Sequence, residues 1–92
     1  MAAFGIHTAR VEGDRLVVEG RCYSGVISLA QVFTRSYPPN DEERAAALHL
    51  TVEGISAYGH NLDQIEEGLT AEIQFSGEFP EALVEGWVLS TD

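Results

Sequence analysis

The chain has 92 residues, 45 % hydrophobic and 9 % aromatic, which suits one domain around one core and excludes a disordered chain. Fifteen acidic residues face five basic ones, all arginine, and the net charge of −10 excludes strong non-specific attraction to nucleic acid or anionic lipid. The excess is one-sided, because residues 1–44 hold six acids and all five arginines while residues 45–92 hold nine acids and no arginine.

The opening residues Met1-Ala2-Ala3-Phe4-Gly5-Ile6-His7 lack a positive segment followed by an apolar one, and no apolar run reaches membrane-spanning length. A cytoplasmic chain is expected. Residues 15–23 place Leu16, Val18 and Cys22 on one face of a strand and Val17, Glu19, Arg21 and Tyr23 on the other. Glu12-Gly13-Asp14 is a hairpin turn, which makes 4–11 the partner strand. Cys22, the sole cysteine, then faces inward as a buried, inert thiol. After Ser24-Gly25, residues 26–34 are rich in Val, Ile, Leu and Phe and predict a third strand.

Ser36-Tyr37-Pro38-Pro39-Asn40-Asp41 reads as a loop, since consecutive prolines lack N–H donors and fix φ. Residues 41–47 read as an acidic loop containing a helical turn, with Asn40 or Asp41 as N-cap. Residues 48–55 alternate Leu48, Leu50 and Val52 against His49, Thr51 and Glu53, a half-buried strand. Tyr58-Gly59-His60-Asn61 supplies a turn, and 63–67 one helical turn ended by Gly68. Leu69, Ala71, Ile73 and Phe75 against Thr70, Glu72 and Gln74 form the cleanest strand. Ser76-Gly77-Glu78 ends it, Phe79-Pro80 starts an extended or turning segment, and 86–90 is a closing strand. Six to seven short strands predict an all-β domain over 1–92, a closed or nearly closed antiparallel barrel. A monomer is expected because closure hides sheet edges.

No catalytic or metal constellation emerges. His7, His49 and His60 lack paired ligand spacing and one cysteine makes no zinc set, so neither metal nor cofactor is expected. Asp63, Glu66 and Glu67 read as a solvated acidic edge rather than carboxylates paired for acid–base work, and Ser24 lacks the frame of a nucleophile elbow. Phe33, Tyr37, Tyr58, Phe79 and Trp87 are the aromatics that could line a surface, with Tyr37 and Tyr58 at loop positions and Trp87 and Phe75 assigned to the core. Tyr37, Tyr58, His60, Glu66 and Glu67 are the candidate partner-binding residues. Aromatics without positive charge suit a protein or peptide partner better than single-stranded nucleic acid, and the acid excess would attract a basic one.

Leu16-Val17-Val18-Glu19-Gly20-Arg21 followed by Ser24-Gly25-Val26-Ile27 resembles the second, β-barrel domain of translational GTPases such as elongation factor Tu. Leu50-Thr51-Val52-Glu53-Gly54-Ile55 resembles that family's strand after its variable loop. Ile65-Glu66-Glu67-Gly68 resembles a later turn, and Glu85-Gly86-Trp87-Val88-Leu89 the final strand. The likeness spans nearly the whole chain. It implies a barrel that serves as an adaptor and contacts the ribosome or the charged end of tRNA. No Gly-rich phosphate loop or lysine accompanies it. The expected function is therefore a non-catalytic binding module. One alternative is a translation accessory, which needs Arg10, Arg15, Arg21 and Arg35 on one face. Another is an intracellular inhibitor or immunity protein whose acidic second half covers a basic partner.

Overall fold

Two alternating stretches of ten residues, β1 (Ala3–Glu12) and β2 (Arg15–Ser24), form an antiparallel hairpin in the computed structural model, which describes residues 1–78 and 83–91. Gly13 opens the two-residue turn at φ +65° while Asp14 stays out of the left-handed region. That is the type II′ pattern, whose twist matches the strands it joins and whose first position favours glycine. The remaining elements are β3 (Val26–Ser28), β4 (Val32–Tyr37), a 3₁₀ turn (Glu42–Arg44), β5 (Ala46–Ala57), β6 (His60–Leu62), β7 (Gln64–Glu66), β8 (Thr70–Glu78) and β9 (Val88–Ser90).

The sheet runs β4-β9-β1-β2-β8-β5, and β5 pairs back onto β4 to close a six-stranded antiparallel ring. Strand β6 lies outside it on β5, and β3 pairs separately with β7. The expected all-β barrel is what the chain forms. Its interior is filled by the inward face of each strand: Phe4 and Ile6, Leu16 and Val18, Phe33, Leu50 and Val52, Ile73 and Phe75, and Leu89. Register shifts interrupt the alternation at four places among the described strands, and two of them re-aim core residues of β5 and β1. One between Val52 and Gly54 lets both Val52 and Ile55 face the core, and one between Ile6 and Thr8 does the same for Ile6 and Ala9.

Several boundaries differ from those expected. Residues 26–34 are two strands, because the chain turns at Leu29-Ala30-Gln31 with Ala30 at φ +69°. Ala30 N–H donates to the Val52 carbonyl and Val52 N–H to the Gln31 carbonyl, each at 2.9 Å, so β5 itself holds this turn. Ser36 and Tyr37 are not loop residues. They end β4, opposite Leu89 and Val88 of β9, and the loop starts at Pro38. The 63–67 segment is not helical, because Ile65 pairs with Ile27 in the β3–β7 ribbon and both side chains are buried. The turn at 58–61 narrows to Tyr58-Gly59, with His60 and Asn61 in β6, and the closing strand narrows to Val88–Ser90. Ser76-Gly77-Glu78 continues β8 instead of ending it, with Gly77 at φ +124°. The helical turn after the prolines is present, but the Asp41 side chain makes no capping bond. The segment expected at Phe79-Pro80 lies outside the described residues. No helix among the described residues is long and apolar enough to cross a membrane.

Ring closure does not hide every edge, which corrects the premise of the monomer expectation. Strand β9 covers only Ala3 to Gly5, and Gly86 and Trp87 extend that contact to Ile6, through bonds of 2.7 and 2.8 Å. Beyond the bulge, residues 8–12 of β1 pair, among the described residues, with β2 alone.

Candidate functional site

The five residues singled out from the sequence do not meet at one place. Tyr37 is 6 % exposed and packs with Ala3 and Val88 on the face of β4, β9 and β1 turned away from Phe4 and Leu89, with the Arg35 guanidinium 5.3 Å from its ring centroid. It is a buried aromatic at the end of a strand and not a loop residue. Phe33 is equally interior, edge-on to Phe75. Trp87 is partly buried against the core, as expected, and Arg44 stands 5.8 Å from its ring. Glu66 lies exposed on β7 and Glu67 in the turn after it, where Glu67 lines a hollow with Arg21, Cys22 and Tyr23. Tyr58 and His60 share the β5–β6 hairpin, both exposed.

Tyr58 has the most unusual position of the five. Its ring is 82 % exposed and its backbone sits at φ +55°, with Gly59 at φ +78°. Two positive φ values are what a type I′ hairpin turn requires, a position that favours Asn or Gly over a bulky side chain.

Strand register builds the walls beside it. Glu19 of β2 lies directly opposite Glu72 of β8, and Glu72 directly opposite Ser56 of β5. The β1 bulge adds His7, and together with Thr70 and Tyr58 these residues line an outer groove of about 360 Å³. Facing carboxylates on adjacent strands repel. Arg10 offsets that from the side, its Nη1 3.9 Å from Glu19 and its Nη2 3.4 Å from Glu72, while its Nε bonds to Glu12. One guanidinium among three carboxylates leaves the groove acidic. A second hollow of about 430 Å³ lies across the same hairpin, lined by Glu53, Ser56, Asn61, Asp63 and Gln74 and by no basic side chain. Glu53 accepts a hydrogen bond from the Ser76 hydroxyl. Tyr58 lines the first of these hollows, and Ser56 of the same hairpin borders both. Neither Glu19, Glu72 nor His7 was legible as a site residue, because only the β2–β8 register and the β1 bulge bring them together.

The arginines are divided. Arg10, Arg15 and Arg21 point outward from β1 and β2, whereas Arg35 stands on β4, with β9 between it and β1, and pairs with Glu42 at 4.0 Å. The four do not form one basic face. Among the described residues no three His, Cys, Asp or Glu side chains are grouped to hold a metal ion.

Cys22 is fully buried, its Sγ 3.5 Å from the carbonyl oxygens of Ser24 and Gly25. Burial pushes the thiol above its ordinary pKa, and Glu67 pushes the same way. Both access and thiolate fraction are therefore low. A thiol reagent is expected to modify the folded protein at least about a hundredfold more slowly than the urea-unfolded chain, since reaction waits on opening of the strand. Equal rates would place Cys22 on the outer face.

A scan against protein-family models and a search of curated proteins each find no match to this chain.

Proposed function

We propose that this barrel is a non-catalytic binding module whose partner is a protein presenting lysine or arginine to the β5–β6 hairpin. Tyr58 carries the reading. A left-handed backbone position costs a tyrosine on the order of 1 kcal/mol, and a ring left 82 % exposed buries little surface to offset it, which supports a role in contact. A cation above the ring gains cation–π attraction, and the Glu19 and Glu72 carboxylates of the groove that Tyr58 lines supply opposite charge beside it. The resemblance to the elongation factor Tu barrel points the same way, toward an adaptor rather than a catalyst. An acidic inhibitor covering a basic enzyme is one form such a module takes, with electrostatic steering speeding the encounter.

The test separates stability from binding. Tyr58→Asn relieves the backbone and is expected to raise unfolding stability by about 1 kcal/mol. The same change is expected to weaken affinity for a short lysine-rich peptide about threefold to tenfold, the range of an exposed to partly desolvated cation–π contact. Unchanged affinity would defeat the proposal. With nucleic acid the acid excess dominates, so anisotropy titrations with tRNA and a short duplex are expected to give no saturable binding below about 10 μM at about 150 mM salt. Tight tRNA binding would instead favour the translation accessory.

A further inference from the structure

The two-residue turn makes Glu12 and Arg15 a mutually hydrogen-bonded pair, and antiparallel pairing alternates from there. Thr8 and Arg10 then bond to Glu19 and Val17, while the N–H and C=O groups of Ala9 and Val11 point away from β2. Ile6, on the same edge before the bulge, uses its outward groups on Gly86 and Trp87. Among the described residues, those of Ala9 and Val11 meet no backbone or side-chain partner. Among the described residues this is an open strand edge five residues long, exposed to solvent except at Ala9, with the Val11 side chain 56 % exposed beside it.

We propose that the open edge of β1 is a strand-addition site that takes an extended segment of the partner, one alternating basic with small apolar residues. Four main-chain bonds to Ala9 and Val11 hold the segment, as a β-ladder does in peptide recognition by sheet edges. Alternation follows from the two faces of the edge. Side chains on the barrel side meet Ala9 and Val11. Those on the outer side meet Thr8, Arg10 and Glu12, where the three carboxylates of Glu12, Glu19 and Glu72 outnumber the guanidiniums of Arg10 and of Arg15, which lies opposite Glu12. The competing occupant is a second copy of this chain. Two chains of net charge −10 repel each other, and symmetric pairing of Ala9 with the partner's Val11 sets Arg10 against its own copy, whereas a basic segment is attracted to the whole surface. The edge also continues into the Tyr58 groove through His7. The charge of the segment rests on the proposed function, but the position of the site does not.

Amide hydrogen exchange tests the site, with a short blocked peptide alternating lysine and valine as probe. In the free protein Ala9 and Val11 are expected to exchange at least about tenfold faster than Arg10, whose amide is in the ladder. Adding the peptide is expected to slow Ala9 and Val11 to the Arg10 rate. Val11→Pro removes only an outward N–H and is tolerated at an edge, so it is expected to keep the barrel's circular dichroism and weaken binding about threefold to tenfold. A peptide carrying backbone N-methyl groups on alternate residues is expected not to protect either amide. Binding that perturbs the Tyr58 hairpin while Ala9 and Val11 still exchange quickly would overturn the strand-addition site and leave the proposed function standing. No binding even at low salt would overturn both. Concentration-dependent self-association that Val11→Pro abolishes would show the edge belongs to a second copy and overturn the peptide.

Discussion

Phe75→Ala is expected to remove about 3–5 kcal/mol of stability, the usual loss for truncating a buried phenylalanine. Phe75 is fully buried on the inner face of β8 with its ring centroid 5.6 Å from that of Phe33 at 85°, so alanine leaves a cavity and also ends an edge-to-face aromatic contact. A single domain of this length has roughly 5–14 kcal/mol in total, so the variant would sit near the threshold of folding. Urea unfolding followed by circular dichroism reads the loss as a lower midpoint with an unchanged slope. Phe75→Leu keeps most of the volume and is expected to lose clearly less. A loss under about 1 kcal/mol for the alanine variant would mean that the ring is not in the core.

Gly20→Ala is expected to be comparably damaging although it adds one methyl group. A Cβ at Gly20 would lie 1.8 Å from the Gly5 carbonyl oxygen and 2.9 Å from the Phe4 ring. The nearest obstacle is backbone on the paired strand, so no rotamer change relieves it and β1 must move away from β2 beside its own bulge. Overpacking of this kind exceeds the ordinary range of about 1–3 kcal/mol because the ring cannot open locally without losing its pairing. Two other glycines grade the effect. At Gly5 the obstacle is the Tyr23 ring at 2.3 Å, a half-exposed side chain that can swing out, and at Gly54 it is the end of Gln74 at 3.4 Å. The expected order of destabilisation is Gly20, then Gly5, then Gly54. Thermal unfolding of the three alanine variants checks it, and a harmless Gly20→Ala would show that β1 and β2 are not in the described register.

The parts of the fold that were legible in advance are those where a period of two runs uninterrupted. The alternation from Leu16 to Cys22 and from Ala71 to Phe75 is copied directly into the barrel interior. Val17 shows the limit of that rule, since it lies on the outer face yet is 3 % exposed. The turn at Ala30 was hidden because an alanine at positive φ carries no Gly, Pro or Asn to mark it, and bonds from β5, distant in sequence, hold it. Gln64 to Glu66 has helix-forming composition, but pairing of Ile65 with Ile27 buries two large side chains that a lone helical turn would leave outside. Tyr37 was misplaced because proline restricts the residue before it to extended backbone, which suits a strand end as well as a loop. On the site, Tyr58 beside Gly59 was visible as an aromatic in a turn. The acidic walls around it were not, because the facing of Glu19 and Glu72 depends on which residue of β2 meets which of β8.

A basic partner is proposed to dock at the β5–β6 hairpin and the neighbouring β1 edge. Amide chemical-shift mapping of the whole chain during titration with the lysine–valine peptide tests it most directly. Shifts are expected to be confined to residues 8–12, Glu19, 56–59 and Glu72, and to fade as salt rises. Shifts centred on Glu66 and Glu67, or none at these positions while binding proceeds, would contradict it.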